Sequence, residues 1–205
     1  MTKTLTSLFD SYEDGYAAAL ELGAAGIGEG KISLLANNLE GHNNITAHEG
    51  NDAQPGAEAG MAFGAIMGGG VGLAAGLGLL TIPGVGPVIA AGWLLATVAG
   101  AIGGGAVAAA AGGLSGALVG SGVLEEDAHV MAEGVRRGGT LVTVLVTPAQ
   151  RETAEHIMRS HHMLDTKALA RCYKQAGWSK FDPAAPPLNA ADLASEKAAR
   201  QALAA

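Results

Sequence analysis

The chain has 205 residues, enough for one or two domains. Its formal net charge of −7, with no basic cluster beyond Arg136-Arg137, argues against a nucleic-acid partner. The lone cysteine, Cys172, excludes an internal disulfide and fits a reducing compartment.

Taken in order, Thr4 to Asp10 reads as a short strand. Ser11 is placed to cap a helix running through Gly23, with Glu13 and Asp14 in the first turn where the helix dipole favours acids. Lys31 to Asn37 is a second strand, so the chain opens β-α-β. The glycines at Gly26, Gly28 and Gly30 do not make a phosphate loop. Such a loop leaves a strand and opens a helix, and these lie between a helix and a strand. The start, Met1 to Thr6, runs into no apolar stretch of signal-peptide type, so the polar ends are expected in the cytoplasm.

Residues 39–58 are polar and rich in turn formers, and read as a linker; His42 and His48 lie in it without ligand spacing. Residues 59–124 follow, 66 in all, without one Asp, Glu, Lys, Arg or His. Small residues keep a period of four, starting just before this segment at Gly56 and continuing through Gly60, Gly64, Gly68, Gly72 and Gly76, then Gly92, Ala96, Gly100, Gly104, Ala108, Gly112, Gly116 and Gly120. Residues four apart share a helix face, so each row predicts a groove where another helix backbone approaches closely. Glycine costs about 1 kcal/mol against alanine in an exposed helix, so helices of this kind need close packing or an apolar solvent. The spacing predicts a hairpin of a first helix over Ala59 to Leu80, roughly 33 Å long, and a second run over Val88 to Gly122, roughly 52 Å. The turn falls at Pro83 to Pro87. The first length matches a bilayer core of about 30 Å.

Polarity returns after Leu124. Glu125, Glu126 and Asp127 open a helix that Arg136-Arg137 and Gly138-Gly139 close. Thr140 to Thr147 (TLVTVLVT) is the clearest strand, and a helix follows Pro148. A short strand is expected near Met163 to Thr166 and a small helix over Lys167 to Ala176. Residues 178–205 read as an extended Pro/Ala-rich tail, helical from Ala190, with Trp178 and Phe181 able to pin it.

Joined, the segments 1–38 and 125–177 predict an α+β fold: a ferredoxin-like βαββαβ domain with two helices on one face. The Gly/Ala-rich apolar helical hairpin at 59–124 would be inserted between its second and third strands. The histidines His156, His161 and His162, with Cys172 downstream, lack the spacing of a metal site. No catalytic or cofactor-binding residue stands out.

Four stretches resemble the YflT-like general stress proteins of bacteria. They are TLTSLFDSYEDGYAAALELGAAGI with KISLLAN, IPGVGPVIAAG, EEDAHVMAEGVRRGGTLVTV and GWSKFDPAAPPL. The resemblance covers most of the chain. It implies a stress-induced, membrane-associated or self-assembling protein, and it carries over no catalytic residues. The resulting expectation is a non-enzymatic protein that inserts a glycine-zipper hairpin into the cytoplasmic membrane and homo-oligomerises, with lipid and itself as partners. One alternative is a soluble self-assembling shell, disc or filament. Another is a membrane-anchored module that senses a small ligand.

Overall fold

The computed structural model describes residues 2–38, 78–94, 96–98 and 113–204. The elements in chain order are β1 (Lys3–Phe9), α1 (Tyr12–Ala24), a 3-10 turn (Glu29–Lys31), β2 (Ile32–Asn37), β3 (Gly78–Ile82) and β4 (Gly86–Ala91). They continue with α2 (Leu114–Gly120), α3 (Glu125–Arg136), β5 (Thr140–Val146), α4 (Arg151–Ser160), α5 (Thr166–Gln175) and α6 (Ala190–Ala204).

The strands form one antiparallel sheet in the order β1-β5-β2-β4-β3. β5 lies between β1 and β2, with Leu141 opposite Leu8 on one side and Leu35 on the other. Since β5 is antiparallel to both, β1 and β2 run parallel to each other, joined by α1.

Both faces of the sheet are covered. Successive strand residues point to opposite faces. Leu141 joins a cluster with Leu8, Leu35, Leu118, Met131 and Val135, whereas Val142 and Val144 join Ala18, Leu22, Ala154 and Ile157. Helices α1 and α4 therefore pack on one face, and α2, α3 and α5 on the other. Double coverage is why β5 reads as an almost unbroken apolar run instead of alternating. All of its residues but Leu145 are buried.

Two glycines let helices come close to strands. A Cβ on Gly134 of α3 would fall on the Leu8 side chain, and one on Gly15 of α1 would meet Thr140.

Three predicted features differ. Residues 78–91 belong to a β-hairpin instead of a helical one, because Gly84 (φ +76°) and Gly86 (φ +99°) turn the chain and β4 finds the free edge of β2. The apolar Leu80, Ile82, Val88 and Ile89 suit a strand buried on its faces. Next, the strand expected near Met163 is absent: only one backbone bond, Leu164 N–H to Leu8 O at 2.7 Å, reaches the edge of β1. Finally, helices cover a second face of the sheet beyond the two-helix layer expected. The tail follows its reading. Phe181 is buried against the turn at Gly84, and α6 begins at Ala190.

Candidate functional site

The predicted packing residues do not form one row where they are described. Gly60, Gly64, Gly68, Gly72, Gly76, Gly100, Gly104, Ala108 and Gly112 lie outside the described residues. Gly92 is not on a helix face. It bends the chain out of β4 at φ +85°, with its Cα so close to the Ile32 carbonyl that a Cβ would collide. The Ser33 hydroxyl holds this bend, donating to Ala91 O at 3.0 Å and accepting from Leu94 N–H at 2.7 Å. Ala96 is exposed in the helical residues 96–98, Gly116 is half-buried in α2, and Gly120 ends α2 in open space. A left-handed Gly113 (φ +56°) precedes α2, so Gly92 and Gly120 cannot share one helix.

The histidines are spread out. His156 is exposed on α4, His161 Nε2 lies 2.6 Å from Glu21 Oε2, and His162 takes a left-handed turn at φ +60°. Among the described residues no three His, Cys, Asp or Glu side chains converge to hold a metal. Cys172 is half-buried on α5.

The structure instead gathers polar groups at one end of the sheet. β1 and β2 both end there and β5 begins there. The resulting shallow groove, of about 30 Å³ and open to solvent, is lined by Asp10, Ser11, Tyr12, Glu13, Asn37, Arg137, Gly138, Thr140, Leu193 and Lys197. Each wall has a local cause. Ser11 caps α1 by accepting from Asp14 N–H at 3.0 Å, which fixes the turn carrying Asp10, Tyr12 and Glu13. Asn37 Nδ2 donates to Val135 O at 3.2 Å, tying the end of β2 to the last turn of α3. Gly138 (φ +92°) reverses the chain from α3 into β5 and sets Arg137 at the mouth.

Arg137 is the electrostatic centre of the groove. Its Nε donates to Glu133 Oε1 at 2.7 Å, and its Nη1 to both carboxylate oxygens of Glu196 at 2.9 Å. Glu133 is only 1 % exposed. Burial of Arg137 works against its charge. The hydrogen bonds and charges of Glu133 and Glu196 outweigh that and hold its pKa above the ordinary arginine value. Tyr12 stacks on Tyr16 with ring centroids 5.6 Å apart, and its phenol is pushed up to about 12 by burial first, then by Tyr16 and Glu13. It is a neutral hydrogen-bonding group at any physiological pH.

The roof of the groove is α6. Leu193, 3 % exposed, lies against Gly138, and Glu196 binds Arg137. Lys197, next to Glu196, is half-buried and also lines the groove, whereas Asp192, Ala194, Ser195 and Ala198 are exposed. Sequence reasoning missed this site. The Glu133–Arg137 spacing of four was a legible helix pair, but nothing local joins it to Glu196, 59 residues away.

These features define a mixed α+β protein built on a five-stranded antiparallel sheet with helices on both faces. No family model, curated protein or solved structure matches the chain. Among the described residues no helix is long and apolar enough to cross a membrane.

Proposed function

We propose that this is a non-enzymatic, self-associating protein in which the small-residue rows of residues 59–77 and 99–112 pack copy against copy, while the sheet domain forms the outer, acidic part of each subunit. The resemblance to general stress proteins makes it a candidate component of a bacterial stress response. The observation that carries the reading is the register of the β3–β4 hairpin. Gly78 pairs with Ala90, so the apolar stretch arriving at β3 and the one leaving β4 meet the sheet at neighbouring points.

The same register favours assembly over the membrane hairpin. β2 and β3 share a sheet, so both ends of residues 39–77 lie on one side of any bilayer. One crossing would separate them, and two crossings need about 40 apolar residues. Only residues 59–77 of that segment are apolar and uncharged. Val98 and Leu114 are likewise buried in one cluster, and residues 99–112 would extend only roughly 21 Å even as a full helix.

We also propose a ferredoxin-like core within the larger sheet. Its support is the β1-α1-β2 unit with β5 between the parallel strands, and α1 and α4 together on one face. The segment at Leu164 lies where a fourth strand would pair with β1.

Native mass measurement combined with membrane fractionation tests the assembly. A lipid-free, high-mass particle is expected. Gly68→Leu and Gly104→Leu should each shrink it, because the added side chain fills a groove meant for a backbone. Val119→Ala, off both rows and 42 % exposed, should leave it unchanged. Sedimentation with lipid through a carbonate wash, released only by detergent, would establish the membrane reading instead.

A further inference from the structure

We propose that β3 is the surface through which two copies of this chain join, the outer edge of one β3 pairing antiparallel with that of the other across a two-fold axis at Leu80. This deepens the self-association proposed above and rests on it. β3 ends the sheet, and among the described residues no backbone group bonds to its outer side. The opposite edge is guarded: β1 carries the exposed Lys3, and Leu164 N–H donates to Leu8 O at 2.7 Å. β3, with the sequence GLLTI, holds neither a charge nor a proline. Copies with a net charge of −7 repel each other, and β3 lies in the uncharged stretch 59–124, where contact brings no like charges together.

The strand register determines which groups this edge offers. Pro87 has no N–H, and its carbonyl accepts from Asn38 N–H at 2.9 Å, so the polar side of Pro87 faces β2. Thr81, opposite Pro87, therefore sits in a pair without mutual hydrogen bonds, and its N–H and C=O point away from β4. By the alternation of an antiparallel ladder Leu79 does the same, whereas Gly78, Leu80 and Ile82 bond to β4. A second β3 laid antiparallel, with Leu79 opposite the partner's Thr81, satisfies every outward N–H and C=O of both strands. The edge is thus complementary to itself, as a two-fold interface requires. Leu80, half-buried at the rim of the core, meets its own mate across the axis, and one sheet runs through both copies.

Cysteine cross-linking of the full-length protein, in a Cys172→Ser background, tests the pairing. Leu80→Cys puts its sulfurs on Cα atoms about 4.5 Å apart, within disulfide range, and mild oxidation should link most chains in pairs. Thr81→Cys sets its mates diagonally, about 7–8 Å apart, and should link roughly tenfold less. Thr81→Pro removes an outward N–H without touching the β3–β4 ladder, and added to Leu80→Cys it should abolish the pairs. Thr81→Val, which keeps that N–H, should not. A Leu80→Cys protein that stays single-chain, with an unchanged circular dichroism spectrum, overturns the proposal whether or not Gly68→Leu shrinks the particle. Pairs that form although Gly68→Leu has no effect would keep the edge contact and remove the small-residue rows from the assembly. In a single-chain protein, hydrogen exchange identifies the true occupant. Protected Leu79 and Thr81 amides would mean that another part of this chain covers the edge, and freely exchanging ones that it is left to a strand of a different protein. Either result excludes the second copy.

Discussion

The guanidinium carbon of Arg137 lies 4.4 Å from the centroid of the Tyr173 ring, so one arginine joins α3, α5 and, through Glu196, α6. Each contact alone is modest. Together they fix a cation beside Glu133, a carboxylate shut off from water.

Arg137→Ala would leave the Glu133 carboxylate with only the longer 3.4 Å contact to Arg136. Breaking a buried pair by removing one partner costs about 3–5 kcal/mol. We expect about 3 kcal/mol, read as a lowered midpoint in urea denaturation. Arg137→Ala with Glu133→Leu should recover most of it, because no buried charge is then stranded. A double variant as unstable as the single one would show that the cost lies elsewhere.

Gly134→Ala tests the close approach of α3 to β1. The new methyl would occupy the space of the Leu8 side chain, which is 1 % exposed and cannot swing into solvent. Overpacking of this kind costs about 1–3 kcal/mol, although alanine is the better helix former. Gly134→Ala at Gly134 in a Leu8→Ala background should be nearly neutral. Thermal melting of the four proteins closes the cycle, and additive losses would refute the contact.

Thr143→Val should stabilise the protein. Thr143 is fully buried at the centre of β5, opposite Thr6, and the hydroxyl oxygens of both have no hydrogen-bond partner. A buried polar atom without a partner costs about 1–3 kcal/mol, and valine keeps the shape without that penalty. The expected gain is about 1 kcal/mol in the urea midpoint. A loss would mean that the hydroxyl has a role the sheet register does not reveal.

Tyr12 sets a limit at alkaline pH. Its folded pKa, about 12, lies above the ordinary 10.0, so its neutral form is favoured in the native state. The stability linked to it is complete below pH 10 and declines as pH rises from about 10 to about 12. Phenolate absorbance should therefore show one of the three tyrosines titrating late, and Tyr12→Phe should remove that step. An unchanged late step in that variant would assign it to Tyr16 or Tyr173.

Much of the fold was legible because it is local. The β5 run TLVTVLV, the acidic first turn and basic last turn of α3, and Ser11 at the head of α1 each carry their own signal. The stretch around Pro83 and Pro87 misled. A Gly/Ala-rich apolar run carries no polar alternation, and a Pro-Gly turn suits a helical hairpin as well as a β-hairpin. The β-branched residues Ile82, Val88 and Ile89 were the available hint of strands. The groove at Arg137 had almost no linear signature, since its walls come from residues 10–13, 37, 137–140 and 193–197.

The sequence by itself determined where β1, α1, β2, α3 and β5 lie, that the chain is acidic, and that its middle is a small-residue apolar segment. Those properties follow from caps, periodicity and composition within a few residues of each position. Only the tertiary structure decided that residues 78–91 extend the sheet, that helices cover both of its faces, and that Glu196 meets Arg137. Each of these depends on pairing between segments far apart in the chain, where strand edges must find hydrogen-bond partners and buried charges must find counter-charges.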